Sequence, residues 1–413
     1  VKCITIDRGC QKRSFPWTAP CTLMHESWII TYMIKRRPLP IPVLVETTDK
    51  LRYFTDRWST EKLIALDTES NSLHAYRERV CLIQISTRKH DYILDPLRIS
   101  DLSPLAPLLA DPAIEKVFHA AEYDLMCLKR DFGFSFSHLF DTMIAARVCG
   151  YKQVGLGALL NELHGVEVDK SHQRDNWGTR PLPQSSLLYA QMDTHFLPQL
   201  RDHFVAELAR LNRADEAREA FRDAIEVPPA RRGEFDPEGY WKIALPNQLS
   251  RRQTAVLREL YLWREEVARE KDTPAFKVAQ DKTLHHLALA APTKMAEIDG
   301  VGGLSQNVIR VYGRAILEAV ERGKTAKVPQ PPVPEPTPDP QVVDRYTALR
   351  EWRKNRALER GVESDVIISK DALWALAEHA PKSLEAMVSV PGMSEWRIRT
   401  YGTELLEMIR KLL

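Results

Sequence analysis

The stretch LIALDTESNS, residues 63–72, joins an apolar run to a pair of acidic residues and decides which fold we expect. Four apolar residues precede Asp67, and Glu69 follows two positions later. Because residues i and i+2 of a β-strand point to the same face, both carboxylates project together from the end of one strand. Like charges on one face repel each other unless a cation lies between them. The pair therefore indicates a cation site at a strand end, with a solvated strand end as the alternative.

The composition of the whole chain is that of a globular protein. Its 413 residues, 44% hydrophobic and 28% charged, suffice for about two to four domains. A net charge of +2 neither requires nor excludes a polyanionic partner. The apolar segment SWIITYMI is much shorter than a membrane span of about 20 residues, and no signal-peptide cleavage pattern follows it, so we expect no membrane attachment and a cytoplasmic location. The six cysteines form no Cys-x-x-Cys pair, which argues against a zinc site and a disulfide framework.

The N-terminal half is predicted to be an α/β domain. Residues 1–40 lack periodicity and are expected to be an extension outside the fold, with the native start at Val1, Met24 or Met33 left open. Between residues 41 and 225, short apolar runs alternate with helical patterns. The predicted strands are KLIALDTE, RVCLIQIST, HDYILDP and EKVFHA. The predicted helices are LSPLAPLLA, AEYDLMCLKRDF, GLGALLNELHG and one long helix, SSLLYAQMDTHFLPQLRDHFVAELARL.

The C-terminal half contains an internal repeat. A shift of 89 residues places Trp263 on Trp352 and Tyr312 on Tyr401, among many other identities. The pattern predicts two copies of one helical domain, at 246–322 and 342–413, preceded by a linker at 226–245. The recurring Trp and Tyr side chains are predicted to be core residues. Proline density in 323–341 predicts a stiff, extended spacer that holds the two copies apart as separate units.

Three further side chains of the first domain extend the acidic pattern. Asp124 lies in the first turn of a helix that follows a strand, where an acid ordinarily complements the helix dipole. Tyr189 and Asp193 lie four residues apart, on one face of a later helix. Four acids and a tyrosine on elements that end at one sheet edge can converge. Such a cluster suits two divalent ions, Mg²⁺ or Mn²⁺, which take oxygen ligands and promote phosphodiester hydrolysis.

Five segments in order resemble the motifs of the four-acid (DEDD) exonuclease superfamily, in its tyrosine branch, and specifically the ribonuclease D family. They are LIALDTES, KVFHAAEYDLMCLKRDF, LFDTMIAARVCG, KSHQRDNWGTRPL and LLYAQMDTHFLPQL. The two C-terminal copies resemble the helicase-and-RNase-D C-terminal (HRDC) domain. The resemblance implies a ribonuclease H-like α/β exonuclease domain at 41–225, a mixed sheet flanked by helices, followed by two small all-α helical bundles.

The resemblance also implies roles for the acidic residues. Asp67, Glu69 and Asp193 would hold a first metal ion, Asp67 would bridge to a second, and Asp124 would support the second through water. Tyr189 would orient the attacking water. The implied reaction releases nucleoside 5′-monophosphates from RNA 3′ ends, with tRNA precursors as the usual substrate, no small-molecule cofactor and a monomeric enzyme. A DNA exonuclease of the same superfamily and a catalytically silent RNA-binding scaffold are the alternatives.

Several residues around the acids have less specific predictions. Four of them are candidates for substrate binding: His119, Gln173, Trp177 and Arg180. The alternatives are a hydrogen-bonded structural histidine for His119 and a structural ion pair for Arg180. Asp141 is interpreted as a helix cap, with a fifth metal ligand as the alternative. Thr68 and Ser70 are expected to satisfy only the backbone.

Overall fold

The computed structural model describes residues 39–231, 233–246, 249–333 and 336–412. The predicted N-terminal extension therefore lies outside the described residues, apart from its last two. Leu39 packs against the core of the first domain, and the Pro40 carbonyl accepts a hydrogen bond from Gln191 Nε2 at 2.7 Å. These two residues contact the fold, whereas the extension was expected to end outside it.

The first domain is built on a six-stranded mixed sheet in the order β1-β4-β3-β2-β5-β6. Strand β3 is antiparallel to both of its neighbours, and the remaining pairs are parallel. The four strands predicted from the sequence are confirmed as β2 to β5. The strands β1 and β6 were missed because three residues are too few to establish a period-two pattern. The strand bounds are β1 Val43–Val45, β2 Leu63–Ser70, β3 Val80–Ser86, β4 Asp91–Leu94, β5 Glu115–Phe118 and β6 Leu139–Asp141.

Eight helices accompany this sheet in the described residues. Their bounds are α1 Thr48–Trp58, α2 Leu105–Ala110, α3 Glu122–Phe132, α4 Thr142–Cys149, α5 Leu156–His164, α6 Gln184–His195, α7 Leu197–Arg210 and α8 Ala214–Ile225. The single long helix predicted over 185–211 is wrong, since the chain divides at Phe196 into α6 and α7. Pro198 lies in the first turn of α7. It has no N–H for a carbonyl four residues earlier, and its ring would clash with that carbonyl inside a continuous helix.

The described residues beyond 240 are helical, and every helix of the first copy has a counterpart that begins 89 residues later. Helices α10 to α14 form the first module: Arg251–Glu270, Ala275–Val278, Asp281–Ala290, Met295–Ile298 and Gln306–Thr325. Helices α15 to α19 form the second module: Pro340–Arg360, Ser364–Ile367, Lys370–His379, Leu384–Met387 and Glu395–Arg410. Of the recurring aromatic residues, Trp263 and Tyr401 belong to the two helical cores as predicted, both 4% exposed, whereas Tyr312 and Trp352 are partly buried and pack against those cores. In the described ranges, no helix combines the length and the apolar composition that crossing a bilayer requires.

The last residues of the segment expected to be a linker, 226–245, pack into the first module. A short helix α9, Trp241–Ala244, follows Tyr240, and the Tyr240 side chain is fully buried in the core of the first module. The exact division of the chain into domains stays a prediction.

Both modules contact the exonuclease domain, which the sequence did not predict, whereas the expectation that the spacer holds the two copies apart from each other stays a prediction. In the β2–β3 loop, the Tyr76 N–H donates to Asp272 Oδ1 of the first module at 3.1 Å, and the Tyr76 hydroxyl donates to Glu265. In the second module, Arg360 forms an ion pair with Glu216 of α8. Proline stiffens the spacer, but these polar contacts between distant parts of the chain leave no local pattern in the sequence.

Candidate active site

Three carboxylates meet where β2 ends. Asp67 and Glu69 project from the last residues of β2, after four buried apolar residues. Asp193 lies on α6, which packs against β2, β3 and β4. One carboxylate oxygen from each of the three residues lies within 4.8 Å of the others. Tyr189, one helical turn before Asp193, lines the same cleft.

A fourth acid, Asp124, lies beside this cluster in the first turn of α3. Its Oδ1 accepts a hydrogen bond from the Thr68 hydroxyl, which reaches across from β2. Ser70 Oγ donates to Glu78 Oε1 at 2.8 Å. The expectation that Thr68 and Ser70 satisfy only the backbone is therefore wrong. Thr68 connects the strand that carries two acids to the helix that carries the fourth.

The turn that leads into α3 is held by Asp141 at the end of β6. Its two oxygens accept hydrogen bonds from the backbone N–H groups of Ala120, Ala121, Met143 and Ile144, at 2.7 to 3.1 Å. Two of these groups begin α4, so the predicted helix cap is confirmed. The other two belong to the turn between β5 and α3, where Ala120 has a positive φ of 63°. Asp141 thus fixes the position from which Asp124 enters the site.

Helix α6 is fixed to the sheet by a buried polar network on the side away from the cleft. Asp91 of β4 accepts hydrogen bonds from Ser86 Oγ at 2.7 Å, Gln191 Nε2 at 2.6 Å and His195 Nδ1 at 2.8 Å. Ser86 also shares a hydrogen bond with the Thr194 hydroxyl at 2.7 Å. These contacts set the rotation of α6 about its axis, and that rotation presents Tyr189 and Asp193 to the cleft.

The acids line one side of an open cleft of about 510 Å³. The rest of its lining comes mainly from the loop before α5, the first turn of α5 and the loop that precedes α6. Besides the four acids, the lining residues are Thr68, His119, Gln153, Gly155, Leu156, Gly157, Ala158, Val168, Lys170, Gln173 and Tyr189.

The acidic cluster is electrostatically unfavourable by itself. Burial raises the pKa of Asp67 well above its ordinary range, and the charges of Asp124, Asp193 and Glu69 raise it further. Burial likewise raises the pKa of Glu69 to about 9 and those of Asp124 and Asp193 to about 7. A set of converging carboxylates that repel one another and offer only oxygen donors fits hard divalent cations.

Comparison with known families and proteins agrees with this geometry. A family model described as a 3′-5′ exonuclease matches residues 42–209, and the HRDC domain model matches twice, at 253–320 and 343–409. The ribonuclease D of Gluconacetobacter diazotrophicus is 31% identical over 380 residues, which cover 89% of this chain and 93% of that protein. The chain belongs to the ribonuclease D family.

Escherichia coli supplies two further comparisons, one of sequence and one of structure. Its ribonuclease D is 33% identical over 296 residues, covering 71% of this chain and 77% of that protein. The crystal structure of an E. coli RNase D superposes with a TM-score of 0.61 at 28% identity, over 90% of this chain and 99% of that one. As a member of the ribonuclease D family, the protein is a 3′-5′ exoribonuclease of the DEDD superfamily, with the metal-dependent exonuclease fold.

Divalent cations are expected to change the stability of this protein in a pH-dependent way. A carboxyl group whose pKa is higher in the folded state than its unfolded value near 4 stabilises the fold at low pH. That stabilisation is lost as the pH rises through about 7 for Asp124 and Asp193 and about 9 for Glu69. In EDTA, the cluster should therefore lower the melting temperature progressively from pH 5.5 to pH 9, and Mn²⁺ should raise it more at pH 8.5 than at pH 5.5.

Differential scanning fluorimetry at several pH values, with EDTA or with Mn²⁺, measures this effect. The Asp193→Asn variant is the control, because one charge fewer in the cluster should reduce the pH dependence of the Mn²⁺ effect. If Mn²⁺ raised the melting temperature by the same amount at pH 5.5 and pH 8.5, stabilisation by the metal would not depend on the protonation of these carboxyl groups.

The four candidates for substrate binding lie in different surroundings. His119 and Gln173 line the cleft, and His119 Nδ1 lies 2.9 Å from the Thr142 hydroxyl. Burial lowers the pKa of His119, which favours its neutral form. Trp177 is 1% exposed, and its ring centroid lies 6.1 Å from that of Tyr189. Arg180 lies outside the residues that line the cleft.

Arg180 has the structural ion pair that was its alternative interpretation. Its guanidinium binds both oxygens of Asp95, at 2.6 and 2.9 Å, and donates to the carbonyls of Cys81, Trp177 and Thr179. These contacts fasten the loop before α6 to strands β3 and β4, so we propose no substrate contact for Arg180.

Sequence reasoning missed two polar residues near the acids. Gln84 Nε2 donates to Asp67 Oδ2 at 3.3 Å from the middle of β3. Gln84 is fully buried in the otherwise apolar run VCLIQIS, and a lone amide in such a strand is a signal that could have found it. Lys170 adds an exposed cation to the lining of the cleft. It is the first residue of the segment KSHQRDNWGTRPL, but it was not singled out there because the segment has no hydrophobic period.

Proposed function

We propose that this exoribonuclease uses Asp67, Glu69, Asp124 and Asp193 to hold two divalent ions, Mg²⁺ or Mn²⁺, against the last phosphodiester of an RNA chain. Asp67, Glu69 and Asp193 would hold one ion, and Asp67 and Asp124 would hold the second. The observation that carries this proposal is the convergence of three carboxylate oxygens within 4.8 Å of one another. When bound, such ions lower the pKa of water and offset the charge that develops on the phosphate.

Tyr189 would position the attacking water. Burial and the neighbouring Asp193 raise the pKa of Tyr189, so its hydroxyl stays protonated at neutral pH and is a hydrogen-bonding group rather than a base. The ring packs near the buried Trp177 ring, which restricts its rotation. Attack on the terminal phosphorus breaks the bond to the 3′ oxygen of the preceding nucleotide. One nucleoside 5′-monophosphate leaves, and the shortened chain keeps a new 3′-hydroxyl.

The substrates we propose are single-stranded 3′ tails of structured RNAs, with tRNA precursors first among them. The related E. coli RNase D is described as an exoribonuclease involved in structured RNA processing. Gln173 and His119, which line the cleft, are proposed to contact the terminal nucleotide. A monomeric state and a cytoplasmic location stay predictions.

The Tyr189→Phe variant tests the positioning role. It should lower kcat on a short single-stranded RNA by about 10²-fold, the order of effect that a misplaced reactant produces. KM should change little, because the phenyl ring keeps its place against Trp177. An unchanged kcat would show that another group orients the water.

The overall reaction is tested with RNA and DNA strands of one sequence, labelled at either end, in Mg²⁺ or Mn²⁺. The proposal predicts early labelled mononucleotide from 3′-labelled RNA and a ladder of shortening products from 5′-labelled RNA. A faster reaction on DNA would identify the DNA exonuclease instead. No release from any strand with either metal would identify a binding scaffold.

A further inference from the structure

A continuous series of contacts leads from the active-site cleft to the first helical module. Gln173 lines the cleft, and the carbonyl of the next residue, Arg174, accepts a hydrogen bond from His74 Nε2 at 3.0 Å. His74 Nδ1 accepts a hydrogen bond from Lys277 Nζ of the first module at 3.3 Å. Phe276 precedes Lys277 on helix α11. We call Lys170, Arg174, His74, Phe276 and Lys277 together the cleft rim.

The cleft rim combines an exposed aromatic ring with cations that face no carboxylate among the described residues. Phe276 is 48% exposed, although it is large and apolar. Lys170, Arg174 and Lys277 are exposed, and none of them forms an ion pair with a carboxylate in the part of the chain that the structure describes. An aromatic platform beside cations is the combination that binds single-stranded nucleic acids, since bases stack on the ring and phosphates meet the positive charges.

Hydrogen bonds from the β2–β3 loop hold the first module beside the active-site cleft. Tyr76, two residues after His74, donates hydrogen bonds to Glu265 and Asp272 of the first module. The loop that carries both residues follows β2 directly, and Glu69 lies close to its start. Helix α11 is thereby held at a set place relative to the acids.

The second module carries no counterpart of this surface. The positions 89 residues after Phe276 and Lys277 are Asp365 and Val366, and Asp365 forms an ion pair with Arg147 of the exonuclease domain. Arg397 of the second module pairs with Asp223 at 2.9 Å. The two modules are related by sequence, but their surfaces make different contacts. The second module forms ion pairs with the exonuclease domain through Asp365 and Arg397.

We propose that the cleft rim binds the nucleotides immediately 5′ of the scissile phosphodiester in single-stranded RNA. Phe276 stacks on one base, and Lys277, Arg174 and Lys170 contact phosphates. This inference rests on the proposed function, since it assumes that the RNA 3′ end lies in the acidic cleft. The first module would thus bind the part of the RNA that extends out of the active-site cleft in the 5′ direction.

The test measures RNA affinity without hydrolysis. In a full-length Asp67→Asn background, the Kd of a fluorescent ten-nucleotide single-stranded RNA is measured by anisotropy at several salt concentrations. Phe276→Ala is expected to raise this Kd about tenfold, within the range found for loss of one base stack. Lys277→Gln should also raise the Kd. It should reduce the slope of log Kd against log salt concentration by about one, as expected for the loss of one phosphate contact.

Leu358→Ala and Lys354→Gln are matched controls on the second module, where both side chains are exposed on α15. Their Kd values should equal that of the Asp67→Asn parent. A Kd that is unchanged in Phe276→Ala and Lys277→Gln, or equally raised in the controls, would overturn the proposal that the cleft rim binds RNA. The binding assay is independent of turnover, so failure of the native chain to release mononucleotides would refute the proposed function separately.

Discussion

Replacing Asp67 by Asn is expected to lower kcat for mononucleotide release from RNA by on the order of 10³-fold or more. A divalent ion supplies several kcal/mol of transition-state stabilisation, and each 1.36 kcal/mol is about a factor of ten in rate. Asp67 is the residue proposed to contact both ions, so its neutral amide analogue should weaken both sites. The rate is measured under single-turnover conditions with 3′-labelled RNA in saturating Mn²⁺.

The same substitution should stabilise the metal-free protein. The amide removes one of four mutually repelling carboxylates, and the melting temperature in EDTA at pH 8.5 should rise. Asp56→Asn on the exposed face of α1 is the matched control and should leave both quantities unchanged. A kcat within tenfold of the native value would refute the central role given to Asp67.

Replacing Asp141 by Ala is expected to lower the free energy of unfolding by about 4 kcal/mol. The residue is 1% exposed, and its carboxylate accepts four backbone hydrogen bonds that alanine cannot replace. Each buried N–H group left without an acceptor costs about 1 to 3 kcal/mol, with water able to satisfy some of them. Urea denaturation of the two proteins measures the difference.

Asp141→Asn separates the structural role from the alternative, a fifth metal ligand. The amide keeps the shape and one acceptor oxygen, so its stability should lie between those of the native protein and Asp141→Ala. A ligand role would instead give a large loss of kcat in Asp141→Asn with native stability, and that outcome would contradict the purely structural role of Asp141.

The site was predictable from the sequence as far as local geometry reaches. The alternation of a strand places Asp67 and Glu69 on one face, and the helical repeat places Tyr189 one turn before Asp193. Asp141 at the start of α4 was recognisable as a cap, because a capping carboxylate acts within three residues. These predictions depend on covalent geometry and hold before any tertiary contact is known.

Contacts between distant parts of the chain were not predictable in this way. The partner of Arg180 is Asp95, 85 residues earlier, and Thr68 reaches Asp124 56 residues later. Neither pair leaves a periodic signal. The docking of the second module through Glu216 and Arg360, 144 residues apart, is hidden for the same reason. The break between α6 and α7 did have a signal, Pro198, which the prediction of one continuous helix left unused.

The most direct test of the metal site is anomalous diffraction from crystals of the native chain grown with Mn²⁺ and a nucleoside 5′-monophosphate. We predict two manganese peaks in the cleft, one among Asp67, Glu69 and Asp193 and the other between Asp67 and Asp124, and we predict neither peak in Asp67→Asn crystals. A cleft without manganese at saturating concentration, or peaks that persist unchanged in Asp67→Asn, would contradict the account.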